Sequence, residues 1–115
     1  IIEGAAVMHD LKFEVKPAAV SFGGENSPAL MEMAGEVAKG LPSAAEILPR
    51  CELNGSEDIT VFMDRVQKRG GQALFAMFGT SVGGGHHNSK FDIDERVIFN
   101  AAEFFWAMHR EICAK

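Results

Sequence analysis

Ala73-Leu74-Phe75-Ala76-Met77-Phe78 is a run of six consecutive apolar residues, preceded by Gly70-Gly71 and followed by Gly79. Bounded by glycines and too short for a helix, the run predicts a strand buried on both faces, as in sheets covered by helices on either side. In open sheets of that kind ligands sit beyond the carboxyl ends of the strands. The residues after the run are Gly83-Gly84-Gly85-His86-His87-Asn88-Ser89-Lys90-Phe91-Asp92-Ile93-Asp94-Glu95. Triple glycine allows a tight backbone path and close approach to a ligand. It delivers two adjacent histidines, and neutral imidazole is both the commonest protein metal ligand and the side chain that titrates nearest pH 7. From spacing alone His86 and His87 are either ligands or solvated loop residues. Two neighbouring histidines supply at most part of a metal site.

Helical patterns lie on both sides of this loop. Downstream, Asp94-Glu95 open a helix reaching about Ala114, with Ile98, Ala101, Phe105, Met108 and Ile112 at helical spacing. Val97, Phe104 and Trp106 widen that stripe, which reads as packing against a sheet rather than a cofactor box. Upstream, Ser56 is placed to cap a helix over 57–69 whose first turn carries Glu57 and Asp58, suited to the positive end of the dipole. Its stripe is Ile59, Phe62, Met63 and Val66, and Gly70-Gly71 stop it. Ser27 as N-cap and Pro28 as first helical residue open a third helix over 27–39, lined by Leu30, Met33, Ala34 and Val37. Ser43 and Glu46 have capping-box spacing, but Pro49 follows too soon for a long helix, and 47–53 reads as a short strand.

The first part of the chain differs. Residues 1–9 read as a helix tail weakened by Gly4. In 11–16, Leu11, Phe13 and Val15 alternate with Lys12, Glu14 and Lys16, the pattern of a strand with one wet face. Residues 17–26, with Gly23-Gly24, read as an extended connector at which the chain changes sheet or domain.

Composition narrows the function classes. The 115 residues carry a net charge of -5, which argues against nucleic acid, whose binding needs clustered Lys and Arg. No apolar run approaches the roughly 20 residues that cross a membrane, and no basic, cleavable leader is seen. Cys51 and Cys113 make no disulfide framework, which points to a reducing, cytoplasmic location. Cys51 reads as a small buried residue and His9 and His109 as surface positions. Glu57 and Asp58 are already accounted for by the helix start, and no GxSxG nucleophile motif occurs. The opening Ile1-Ile2-Glu3-Gly4 is expected to mark a piece of something longer.

Gly55-Ser56-Glu57-Asp58, Arg65-Val66-Gln67, Gly70-Gly71-Gln72-Ala73, Phe78-Gly79, Gly85-His86-His87-Asn88 and Phe91-Asp92-Ile93-Asp94-Glu95 occur in this order. Together they resemble the C-terminal part of M20-family metallopeptidases and amidohydrolases, with the aminobenzoyl-glutamate hydrolase A-subunit branch the nearest in pattern. The resemblance implies an α/β fold in which a mixed sheet flanked by helices forms part of a three-layer αβα catalytic domain. Residues 1–16 would then be the last helix and strand of an α+β lid (dimerisation) domain, 17–26 the hinge, and 27–115 the return into the catalytic domain. It further implies a hydrolase of N-acyl or N-aroyl amino acids that uses two divalent ions, zinc or manganese. The family's last metal ligand falls on His87, with His86 in the variable position before it and Ser89 replacing a common proline. Gly55, Ser56 and Asn88 would meet substrate. The general base and the other ligands are not in these residues, so the chain alone should be inert. It would work as a homodimer, with a second subunit, or with the rest of the enzyme. The competing reading is a free-standing, non-catalytic α/β interaction or structural module.

Overall fold

Four helices form, three of them where the sequence carries helical apolar stripes and the first at the expected helix tail, in a computed structural model that describes residues 1–52 and 55–114. They are α1 (Ile2–Met8), α2 (Pro28–Lys39), α3 (Ile59–Gln67) and α4 (Arg96–Cys113). α2 starts where Pro28 can, since its missing N–H falls in the first turn. α3 starts later than Ser56 predicts, with Asp58 at its N-cap, and is followed by Gly70 at φ 81°, a conformation glycine takes without strain. α4 is capped from outside by Asp94, whose Oδ1 accepts the Arg96 N–H at 3.1 Å.

The expected α/β class is overturned. Among the described residues there is no strand and no sheet, only an isolated antiparallel bridge between Val82 and Ile93. The three-layer αβα arrangement and the closing lid strand are absent with it. A strand exists only when a second extended segment pairs with its backbone, and 73–78 is instead held by two side chains and a single backbone N–H. The Asn26 carboxamide spans the Phe75 peptide, its Oδ1 accepting the Phe75 N–H at 2.6 Å and its Nδ2 donating to the Phe75 carbonyl at 2.9 Å. Ser27 repeats the device at Ala73: its N–H donates to the Ala73 carbonyl at 2.9 Å and its Oγ accepts the Ala73 N–H at 3.0 Å. The Ser27 hydroxyl is therefore engaged across the fold and makes no cap bond to α2, the role its position suggests. Nor is 73–78 buried on both faces: Phe75 is half-buried and Met77 exposed.

Residues 11–16 are likewise not a strand, and Leu11, Phe13 and Val15 are all exposed. Residues 47–52 form none either, and Leu53, the last residue of that expected strand, lies outside the described residues. Ser43 donates to Glu103 Oε2 at 2.7 Å, tying the 41–46 turns to α4 rather than capping a helix.

α2 packs on α4, the one pair of described helices in contact. On α4 the covered residues are Phe104 and Met108, flanked by half-buried Val97 and Ala101, which repeat at three and four positions and form one seam. Phe78 extends the seam, with its ring 5.5 Å from Phe104 and 5.7 Å from Phe105, both edge-to-face. Ile98, Phe105, Trp106 and Ile112 remain exposed, so only part of the predicted stripe is covered. Among the described residues only Ala6, Met63, Phe104 and Met108 are buried. The radius of gyration is 19.8 Å, against about 13 Å for a compact domain of this length. No described helix is long and apolar enough to cross a membrane. Cys51, expected inside, is exposed, as is Cys113; His9 and His109 lie at the surface as expected.

Candidate functional site

The loop after 73–78 doubles back on itself. Gly83 N–H donates to the Asp92 carbonyl at 3.0 Å beside the Val82–Ile93 bridge, which closes the loop at its base. The returning chain passes so near that a Cβ on Gly83 would lie 3.1 Å from the Lys90 carbonyl oxygen, and one on Gly84 at 3.2 Å. The first two glycines of the triplet thus serve a close backbone approach within the loop. At its tip Asn88 organises the turn: its Oδ1 accepts the Lys90 N–H and its carbonyl accepts the Phe91 N–H, both at 2.9 Å. An asparagine used this way makes an Asx turn.

The two histidines are placed differently by this turn. His86 lies against the Phe91 ring, centroids 5.4 Å apart. His87 sits at φ 58°, the left-handed region that non-glycine residues seldom occupy. Asp10, after α1, takes the same region at φ 50°, and histidine and aspartate are among the residues that enter it most readily. Both imidazoles are exposed to solvent.

A cleft of about 430 Å³ opens beside the loop. One side is formed by His86 and His87, another by Gly55, Ser56 and Glu57 just ahead of α3, and the wall between them by Phe75 and Met77. The fold therefore brings His86, His87, Gly55 and Ser56 to one place. Asn88 is not among the lining residues; it stands at the turn that presents His87. Apolar walls with a few polar groups converging on them are the usual make-up of a small-molecule site.

Phe75, Met77 and Asn26 carry no site motif in the sequence. For the first two a signal existed: in an extended run alternate residues share a side, so 75 and 77 face together and away from Phe78. For Asn26 there was none, since nothing in Asn26-Ser27-Pro28 announces a partner 49 positions away.

The donor set is incomplete for a catalytic ion. Among the described residues no three His, Cys, Asp or Glu side chains are grouped so as to hold one metal, whereas a catalytic zinc takes about three protein ligands. The described residues alone do not fit the expected pair of ions. The charged pair nearest the loop is structural: Arg96 Nε reaches both Asp94 carboxylate oxygens at 2.9 Å. These bonds, with the backbone bond from Arg96, lower the Asp94 pKa to about 2.

Comparison with known proteins gives the site its context. The protein of Escherichia coli K12 named as the A subunit of p-aminobenzoyl-glutamate hydrolase is 37% identical over 103 residues, 89% of this chain and 24% of that protein. The indole-3-acetyl-aspartic acid hydrolase of Enterobacter agglomerans is 36% identical over 104 residues, 90% of this chain and 24% of its own length. A Haemophilus influenzae homolog of the p-aminobenzoyl-glutamate hydrolase A subunit is 23% identical over 112 residues, 97% of the chain and 26% of that protein. The chain thus spans about a quarter of the length of the curated relatives it matches. No family model and no solved structure matches it.

Proposed function

The chain being a relative of the A-subunit proteins of p-aminobenzoyl-glutamate hydrolase, we propose that it is one segment of a metal-dependent amidohydrolase of M20 type that cleaves the amide bond of an N-acyl or N-aroyl amino acid. The observation that supports this is the cleft, where Gly55 and Ser56 meet His87 across a long stretch of sequence. The named substrates of the two relatives at 36% and 37% identity share an aromatic acyl group joined to an acidic amino acid. In such a site the Ser56 hydroxyl and the backbone N–H groups of 55–57 would hold a substrate oxygen by hydrogen bonding. His87 would contribute one ligand to one of two divalent ions, zinc or manganese. Such ions, when bound, polarise the scissile carbonyl and supply hydroxide near neutral pH. The remaining ligands and the general base would come from other parts of the whole protein, which leaves this chain inert by itself.

The division into 1–16, 17–26 and 27–115 belongs to the same proposal. Within the expected hinge, the Phe22 ring centre lies 5.4 Å from Lys68 Nζ, just after α3. So does a protein partner, either a second copy or a different polypeptide: a relative named as one lettered subunit suggests it, and exposed Leu11, Phe13 and Trp106 offer it apolar surface. A cytoplasmic location completes the reading. The test is an assay of the whole protein containing this segment, with p-aminobenzoyl-glutamate and indole-3-acetyl-aspartate, before and after chelation. Hydrolysis lost on chelation and restored by zinc or manganese is expected. Failure to cleave any N-acyl amino acid, with either metal added, overturns the proposal.

A further inference from the structure

Phe75 and Met77 stand on one side of an extended segment whose other side is anchored. Phe78 packs edge-to-face on Phe104 and Phe105, so the segment cannot turn over without losing that contact. Asn26 holds the Phe75 peptide at 2.6 and 2.9 Å. Together these contacts keep a phenyl ring and a thioether on the wall of a cleft, with Met77 53% exposed. We propose that Phe75 and Met77 form the acyl-recognition wall of the cleft, selecting an aromatic acyl group over a small aliphatic one, with Asn26 as the residue that positions them. The inference rests on the reading of this cleft as an amidohydrolase substrate site. An aromatic acyl group can meet Phe75 edge-on or offset and take the Met77 sulfur at its ring edge. An acetyl group can do neither.

The experiment compares an indole-3-acetyl-amino acid with the N-acetyl derivative of the same amino acid, in the whole protein containing this segment. For Phe75→Ala and Met77→Ala, kcat/KM on the aromatic substrate should fall about tenfold or more through KM, and on the acetyl substrate by less than about twofold. Asn26→Leu should give the same aromatic-selective rise in KM with kcat kept. Equal losses on both substrates, or no loss on either, overturn the wall. A measurement independent of turnover covers variants that misfold. In the wild-type protein labelled with ¹³C-methyl methionine, indole-3-acetate should shift the Met77 methyl resonance, identified as the one missing from Met77→Leu, and acetate should not. No shift overturns the wall even if hydrolysis is found. A shift in a protein that hydrolyses neither substrate overturns the amidohydrolase reading and leaves an aromatic-binding wall.

Discussion

Residues 11–16, apolar at alternate positions, and 73–78, apolar throughout, are both expected to be strands, and neither is one. They nevertheless end in opposite circumstances. In 73–78 the backbone is bonded at Ala73 and Phe75 by Ser27 and Asn26, and Phe78 is seated on two rings of α4. In 11–16 the Leu11 N–H returns to the Ala6 carbonyl, and the next link is an exposed pair between Lys16 and Glu14 at 3.2 Å. Surface pairs of that kind contribute about 1 kcal/mol at most. Apolar patterning decides that a segment would gain by burial, but position is decided by which neighbours reach it. The segment that found partners is also the one that lines the cleft.

Function should divide between the two segments most sharply of all. In the whole protein containing this chain, His87→Ala is expected to lower bound metal and turnover by orders of magnitude, and His86→Ala by less. His87 is the residue held in the left-handed conformation, whereas His86 already has Phe91 as a neighbour. Lys12→Ser in the other segment should leave both quantities unchanged. Metal analysis beside steady-state kinetics checks this, and full metal content in His87→Ala breaks the assignment.

Stability should divide the same way. Phe104 is 6% exposed and Phe13 47%, so truncation has very different consequences. Phe104→Ala leaves a cavity under Phe78 and should cost about 3 kcal/mol or more. Phe13→Ala should cost less than about 0.5 kcal/mol, as for most surface changes. Denaturant titration of the two variants measures the difference, and equal losses would mean that the arm packs where the structure shows it exposed.

The three later helices were legible because each carries a periodic apolar stripe over two turns or more, which any covering surface reinforces. The sheet was misread because six apolar residues state only a preference for burial, and a strand also needs a second backbone alongside. That Asn26 and Ser27 would take the place of the second backbone is a property of the fold, not of local sequence. The path of the loop beside the candidate cleft was legible: Gly83 and Gly84 are required by the returning chain at Lys90, and a glycine run ahead of two histidines signals such a path. That Gly55 and Ser56 lie at the same cleft was not legible from spacing, which assigned that stretch to starting α3; only the resemblance singled them out. Cys51 was misplaced because a small apolar side chain between polar neighbours fits either environment.

The clamp itself can be tested by amide exchange. The Ala73 and Phe75 N–H groups are bonded to Ser27 and Asn26 and should exchange more slowly than those of 12–16. Asn26→Leu leaves the Phe75 N–H and carbonyl without partners, at a cost of about 1–3 kcal/mol if they stay shielded. It should speed exchange at Phe75 and leave 12–16 as they were. Unchanged protection at Phe75 would show that Ser27 and the ring packing hold the segment without Asn26.

The smallest effect expected lies where the loop after 73–78 is joined to α4. Asp94 accepts the Arg96 backbone N–H and its guanidinium, and these bonds hold its pKa near 2 against an ordinary value of 3.8. The same pairing raises the Arg96 pKa, so both partners favour the charged pair. A carboxyl whose folded pKa is lowered stabilises the fold fully above its unfolded value, and that contribution is lost as pH falls through the folded pKa. The window is therefore about pH 4 down to pH 2, with no contribution from Asp94 to any change above it. The pair is open to solvent, so the effect is small and weakened further by salt. Melting temperature recorded across this window at low salt should fall less steeply in Asp94→Asn than in wild type, with Arg96→Gln matching it. Identical curves for all three proteins would mean that the pair orders the start of α4 without stabilising it.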